Sequence, residues 1–409
     1  MTSKIVVECQ LGCKSKLQDL LFLGYVSSVN SMRSSSEKNI SETFFPLDLL
    51  ICPTCKLGQI SCIVDKEVLF PQSYPYTSST TKILRKNFKN LAEESLRIID
   101  VTKQDLILDI GSNDGNLLIN FKDQMKVLGI TPENVGKIAI KRGITTIIDY
   151  FNSKSALNII KKYHKAKIIT ATNVFAHIDQ MKDLIKNIKK CLTEDGVFIS
   201  ESHYFLKVIE GMQYDTIYHE HLRYYSLTSL KFFLEKFGLE IFHAKEIETH
   251  GGSIRVYASR KKNYSITKNV SKILKKEKIF FKKKSLTSFK KKVLLTKLGM
   301  LKIIENLKNN NKIIYGVGAP SRSSTLINYV GLDENMIDCI LEVNSSHKIG
   351  KYVPGTKIPV LSEDTVKYKN LDYLLLFSWH IKDDLKKIFR NKGFKGKFII
   401  PLPAPRIEN

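Results

Sequence analysis

Residues 105–118, DLILDIGSNDGNLL, constrain the fold more than any other stretch of the chain. Leu106, Ile107, Leu108 and Ile110 form a short apolar run, and Gly111 and Gly115 follow where it ends. A run of this length closed by glycines predicts a buried strand, a tight turn and a helix start. The same rhythm continues in KVLGITP, TTIID, AKIITATNVF and GVFISES and ends around HGGSIRVYASR at 250–260, with helix-like segments between. Such alternation points to a doubly wound α/β domain. A second strand–glycine–helix unit at KIIYGVGAPSRSSTLINY (312–329), followed by IDCILE, PGTKIPV and DYLLLFSW, predicts another α/β unit of roughly a hundred residues.

At 409 residues the chain exceeds one ordinary core. Its N-terminus adds a separate module. Cys9-x3-Cys13 and Cys52-x2-Cys55 form two knuckles able to present four thiolates to one tetrahedral zinc, with Cys62 as a spare thiol. The expected organisation is a zinc-binding module over 1–70, an α/β domain over 71–260, a basic helical linker over 261–311 and a C-terminal α/β domain over 312–409. The linker contains the densest lysine run, 261–292, with apolar residues at helical intervals, as in an amphipathic helix bridging two domains.

The net charge of +25 invites a nucleic-acid reading, but lysine, asparagine and isoleucine abound everywhere and no base-reading motif stands out. No nucleic-acid partner is expected. No apolar run approaches the ~18–20 residues of a membrane span, and the start MTSKIVVECQ lacks a signal-peptide core, so the expectation is a soluble cytoplasmic protein without a membrane partner. The oligomeric state is open and compatible with a monomer.

The chemistry concentrates in YDTIYHEHLRYYSL (214–227), which holds two histidines, Asp215, Glu220 and four tyrosines. A core could not easily satisfy so many polar groups, so the stretch reads as an active-site wall or a heavily decorated loop. At the first glycine turn the spacing D-x-G-x3-G departs from the dinucleotide fingerprint G-x-G-x-x-G. It is similar to the first motif of class I S-adenosylmethionine (SAM) methyltransferases.

Taken together, the four-cysteine module, IGSNDG, NVFAHI (173–178), IYHEHLRYYSL (217–227), HGGSIRVYASR, and GAPSRSSTLINY with GKYVPGTKIPV resemble the sugar C-methyltransferases of deoxysugar pathways over essentially the whole chain. The resemblance implies an N-terminal zinc-binding domain, a central Rossmann-like class I methyltransferase domain and a C-terminal Rossmann-like α/β domain. It also implies SAM and structural zinc as cofactors and a nucleotide-linked (NDP) 4-keto-deoxysugar as the small-molecule substrate, methylated on the ring carbon next to the keto group. Alternatives are a SAM-dependent methyltransferase acting on oxygen or nitrogen, and a zinc-containing nucleic-acid-binding protein.

Methylation of carbon needs a base for a proton α to a carbonyl and donors for the enolate oxygen. The resemblance marks Tyr218, Glu220 and His221 as active-site residues, with His221 the best candidate base, and adds His177 and Tyr76. Expected SAM contacts are Gly111, Ser112, Asn113, Gly115 and Asn173. Thr131 stands where an acid is expected to meet the ribose, and Glu133 could substitute. Ser78, Ser79, Ser321 and Arg322 are expected on the substrate, with Arg322 at a helix start suited to its diphosphate. His219 and His250 read as structural. Strand-like alternation would separate His221 from Tyr218 and Glu220, so a local turn is required for them to converge.

Overall fold

A computed structural model describes residues 3–34, 36–37, 41–69, 82–282 and 285–409; Tyr76, Ser78 and Ser79 lie outside them. The N-terminal part comprises β1 (Ser3–Ile5), β2 (Gln18–Ser27), β3 (Phe44–Ile51), β4 (Gly58–Ile60), β5 (Cys62–Val64) and the single turn α1 (Lys66–Leu69). β2, β3 and β4 form an antiparallel sheet, and β1 pairs with β5.

α2 (Lys82–Ile98) leads into the alternating unit. There β6 (Leu106–Ile110), β7 (Lys126–Thr131), α3 (Gly136–Lys141), β8 (Thr146–Ile148), α4 (Ser153–Tyr163), β9 (Ala166–Thr172), α5 (Met181–Cys191) and β10 (Leu192–His203) follow in order. α6 (Phe205–Glu210), β11 (Arg223–Tyr224), α7 (Leu227–Glu235), β12 (Leu239–Ile247) and β13 (Ser253–Arg260) complete it. The seven-stranded sheet is ordered β12-β13-β10-β9-β6-β7-β8, with β13 antiparallel to both neighbours. All of β6 is buried, which is why its sequence is nearly continuously apolar instead of alternating. The helix start expected after the glycine turn is only a 3-10 turn, Leu118–Asn120. The Asn120 side chain donates to the Asn116 and Leu117 carbonyls (2.9 and 3.1 Å), competing with helical backbone bonding.

The lysine-rich stretch forms two helices, α8 (Lys268–Lys282) and α9 (Ser285–Asn309), and neither is a free tether. α8 buries Val270 and Ile273. Its one acid, Glu277, caps α7 by accepting the Leu227 and Thr228 amides at 2.6 and 2.8 Å. α9 buries Phe289, Val293, Met300 and Ile304 in a core shared with β2, α6 and the C-terminal unit. That unit comprises β14 (Ile314–Val317), α10 (Ser321–Val330), β15 (Cys339–Glu342), β16 (Val360–Ser362), β17 (Tyr373–Leu376), α11 (Lys382–Asn391), β18 (Lys397–Ile400) and β19 (Arg406–Glu408). Its sheet runs β16-β15-β14-β17-β18-β19, parallel up to β19.

Both larger sheets reverse their strand order at one point, between β6 and β9 and between β14 and β17. Ligand crevices in open α/β sheets lie at such points, beyond the carboxyl ends of the strands. The segment 214–226 sits where the parts meet. β11 leaves the central unit to pair with β4, joining the N-terminal sheet in the order β11-β4-β3-β2. Thr325 on α10 donates to the Ile217 carbonyl (3.1 Å). Among the described residues no helix is long and apolar enough to cross a membrane.

Candidate active site

The first crevice is built at the ends of β6, β7 and β9. Gly111 has φ 74°, and a Cβ there would lie 2.3 Å from Val174 Cγ2, so only glycine lets the turn pass under the β9 loop. Ser112 folds over Gly129 of β7, leaving its buried Oγ without a partner among the described residues. Asn113 and Asn173 both take left-handed backbone conformations (φ 50° and 56°). The Asn173 amide donates to the Glu201 carbonyl at 2.9 Å, while its buried Oδ1 likewise lacks a partner. Gly115 packs close against Ala139 of α3. Thr131, at the end of β7, donates its hydroxyl to the Glu133 carboxylate, so the chain brings an acid back to the position where one was expected. Beneath the turn, burial pushes the Asp109 carboxyl up to about 7, opposed by a hydrogen bond from Thr170 (2.6 Å). Unsatisfied buried acceptors beside a glycine turn suit a polar ligand with its own hydroxyl and amino donors.

Next to this crevice four imidazoles converge. The His221 ring centroid lies 4.6 Å from His203 and 5.0 Å from His177, and His203 lies 5.5 Å from His250. Tyr218 covers His221 with its ring centroid 4.1 Å away. The turn required by the sequence is present: the His221 amide donates to the Tyr218 carbonyl at 2.9 Å, which reverses the chain through His219 and Glu220. His221 Nδ1 lies 2.8 Å from the Thr216 carbonyl. A carbonyl only accepts, so Nδ1 carries the proton and Nε2 holds the lone pair. Burial, then the neighbouring His177, holds His221 well below the ordinary imidazole range. Burial likewise lowers His177 and His250 to about 4, and His203 well below its usual value. All four are neutral near pH 7.

The backbones of Glu220 and Asn173 oppose the lowering of His177 by burial, which places its ring beside both the first crevice and the 218–221 turn. Arg223 supports the loop bearing His177 by donating to the Ile178 and Asp179 carbonyls (2.6 and 3.1 Å). His219 is buried away from the cluster, its Nε2 on the Pro46 carbonyl (3.1 Å), in keeping with a structural role. His250, also expected as structural, takes a left-handed backbone conformation (φ 54°) at the entry to β13, and its ring borders the imidazole cluster.

The second crevice faces the same turn. Glu220 accepts from Asn30 Nδ2 at 2.6 Å, and Ser321 at the start of α10 bonds to Asn30 Oδ1 at 3.2 Å. Lys348, after β15, donates to the Ala319 carbonyl; burial lowers its pKa, opposed by the charges of Glu342 and Glu220. Glu342 accepts the Ala319 amide at 2.5 Å. Arg322, expected on the substrate diphosphate, is 8% exposed and pairs in bidentate fashion with Asp215, Nε at 2.8 Å and Nη2 at 2.9 Å. Its Nη1 lies 3.1 Å from His380 Nδ1.

Of the residues singled out in the sequence, His177, Tyr218 and His221 meet directly, and Glu220 turns toward the second crevice. His203, Asn30, Lys348 and Asp215 were missed. Asp215 lies in the polar-rich stretch 214–227, two residues before the family motif, and its charge is the one local signal for a partner of Arg322. The others have no local pattern to mark them.

Cys9, Cys13, Cys52 and Cys55 are buried with their sulfurs all within 4.8 Å of one another, and Cys62 is not in the group. Tetrahedral zinc with Zn–S bonds of about 2.3 Å needs sulfur separations of about 3.8 Å. The Cys9–Cys55 separation is 3.6 Å. The CPTC knuckle is shaped by Lys56 at φ 61°, whose amide returns to the Cys52 carbonyl (3.0 Å).

Comparison with known proteins gives three family models in the order of these parts. They are a zinc binding domain over residues 9–70, a methyltransferase domain over 82–244 and a C-methyltransferase C-terminal domain over 248–403. C-methyltransferase NovU of Streptomyces niveus is 27% identical over 408 residues, covering 98% of this chain and 96% of NovU. Among solved structures, an S-adenosylmethionine-dependent methyltransferase from Clostridium acetobutylicum overlies 44% of this chain and 93% of its own (14% identity, TM-score 0.32). One from Anabaena variabilis overlies 44% and 86% (16% identity, TM-score 0.34). These partial overlaps do not bear on the assignment. A full-length relative, three consecutive family models, a four-thiolate centre that fits zinc and a glycine-turn crevice beside a buried imidazole cluster agree: the chain belongs to the SAM-dependent C-methyltransferase family.

Proposed function

We propose that the enzyme methylates the ring carbon α to the keto group of an NDP-linked 4-keto-deoxysugar, with His221 as the base. The observation that carries this reading is the His221 imidazole. Its Nδ1 is committed to the Thr216 carbonyl (2.8 Å), and its Nε2 lone pair is therefore the free one, in a buried cluster between two crevices. SAM, when bound, supplies an electrophilic methyl and leaves as a thioether. A carbon nucleophile must then come from the acceptor. His221 Nε2 takes the α-proton, and the negative charge moves to the keto oxygen. Tyr218, and Tyr76 from the segment outside the described residues, are the phenolic donors suited to that oxygen.

Gly111, Ser112, Asn113, Gly115, Asn173 and the Thr131–Glu133 pair are the proposed SAM contacts. Ser112 Oγ and Asn173 Oδ1, without partners among the described residues, support that assignment. Glu220 is the proposed partner of a sugar hydroxyl. Ser321 with the half-buried ammonium of Lys348 suits the diphosphate, along with Ser78 and Ser79. Arg322 is proposed to contribute charge to this wall from its pair with Asp215.

Incubation with SAM and a panel of NDP-4-keto-deoxysugars in deuterated buffer tests the reading. The expected result is one added methyl on the sugar and deuterium exchange at the α-carbon. His221→Gln should lower both by about 10²-fold or more while SAM affinity stays within about twofold. Methyl transfer to a sugar oxygen without α-exchange would replace carbon chemistry with the oxygen alternative.

A further inference from the structure

The Thr216 carbonyl that sets the tautomer of His221 belongs to a 3-10 turn, Tyr214–Thr216, and it accepts two hydrogen bonds. One comes from His221 Nδ1 (2.8 Å) and the other from the buried Tyr224 hydroxyl (2.9 Å). The residue before it, Asp215, is 1% exposed and lies 107 residues from its main partner in sequence. Its two carboxylate oxygens receive three donors, all from the C-terminal unit: Arg322 Nε (2.8 Å), Arg322 Nη2 (2.9 Å) and Trp379 Nε1 (2.8 Å). Arg322 lies in the first turn of α10, after β14, and Trp379 follows β17, so both sides of the second switch point grip one carboxylate. The Arg322 guanidinium also sits 5.2 Å from the Trp379 ring centroid. On the far side, Thr325 Oγ1 holds the Ile217 carbonyl (3.1 Å). The two residues flanking Thr216 are therefore anchored to the C-terminal unit, and the Thr216 carbonyl faces the base.

We infer that Asp215, clamped by Arg322 and Trp379, is a positioning residue for His221: it fixes the Thr216 carbonyl, and that carbonyl fixes which imidazole nitrogen accepts the proton. At 1% exposure, with its oxygens taken by Arg322 and Trp379, it is placed to act through His221. Through it the C-terminal unit orients the base from the opposite side of the active site, beyond any role in holding substrate. A side chain that orients the carbonyl partner of an imidazole controls both ring direction and tautomer, and small displacements of a base are costly. The inference rests on His221 being the base, as proposed above.

Two variants test it. Asp215→Asn keeps the shape and removes the charge; Trp379→Phe removes a single hydrogen bond. The substrate-independent readout is the tautomer of His221 from long-range proton–nitrogen correlations of histidine-labelled enzyme, assigned against His221→Gln. Wild type should show the Nδ1–H form, and Asp215→Asn a mixture or the Nε2–H form. In the exchange assay, Asp215→Asn should lower kcat about 10- to 100-fold and Trp379→Phe by less, with SAM affinity and substrate KM within about twofold. If Asp215→Asn retains the Nδ1–H form and exchanges α-protons within twofold of wild type, Asp215 has no positioning role. Should Asp215→Asn not fold, an unchanged tautomer and rate in Trp379→Phe overturn the inference. If wild type exchanges no 4-keto sugar, the substrate reading fails, while the tautomer comparison still decides on Asp215.

Discussion

The tautomer of His221 rests on two features: a carbonyl that accepts a hydrogen bond from Nδ1–H, and burial beside other imidazoles that disfavours a second proton on Nε2. The same burial makes the fold acid-sensitive. His177 and His250 are lowered to about 4 by burial, against about 6.5 in an unfolded chain, so the unfolded state binds more protons between those values. Stability contributed by each group is present above pH 6.5 and is lost as pH falls toward 4. From pH 7 to pH 5 the loss is on the order of 2 kcal/mol per group. Urea midpoints measured from pH 7 to pH 5 should fall steeply in wild type and less steeply in His177→Gln. Parallel slopes would mean that His177 is not buried neutral.

At the scale of elements, the glycine turn after β6 works because neighbouring strands leave room for it. Gly129 in the middle of β7 has no obvious duty in the sequence, yet a Cβ there would lie 2.4 Å from Ser112 Oγ and 2.8 Å from Ser112 Cβ. Gly129→Ala should therefore push Ser112 out of the crevice floor. The expected cost is about 1–3 kcal/mol of stability, as for other overpacked sites, with weakened SAM binding measurable by calorimetry. Unchanged SAM affinity in a stable Gly129→Ala protein would remove Ser112 from the binding site. The lysine-rich helices make a related point. Their sequence predicts an amphipathic helix bridging two domains; the stretch forms two helices, in which Glu277 caps α7 and α9 packs into a core with β2 and α10.

Over the whole molecule, three sheets are arranged around one short segment. The zinc centre touches none of the proposed chemistry, yet its sheet carries β4, which pairs with β11, and Asn30, which bonds Glu220. Metal binding energy should therefore support the active site at a distance. Cys52→Ser should lose zinc from a value of one per chain by elemental analysis. Its exchange activity should fall at least about tenfold, because small displacements of catalytic groups are costly, even if the central sheet stays folded. A zinc-free variant with full activity would confine the metal to local stability.

The sequence by itself determined the elements and the short-range chemistry: the buried β6 strand and its turn, the second glycine unit, the two cysteine knuckles and the reversal at Tyr218–His221. Those depend on residues a few positions apart, where backbone sterics and apolar periodicity act directly. The helix expected after Gly115 failed locally, because Asn120 bonds back to the carbonyls before it. His203 is one histidine at a strand end until β10 brings it to His221, and Asn30 is one loop amide until it meets Glu220, 190 residues away. Arg322 reads as a diphosphate contact at a helix start, and its pairing with Asp215 is invisible locally because the carboxylate is 107 residues away. Tertiary structure alone decided which charges are paired, which imidazole nitrogen is free and which carbonyl it faces. Such facts come from packing distant segments into one low-dielectric space, and local sequence carries no record of that packing.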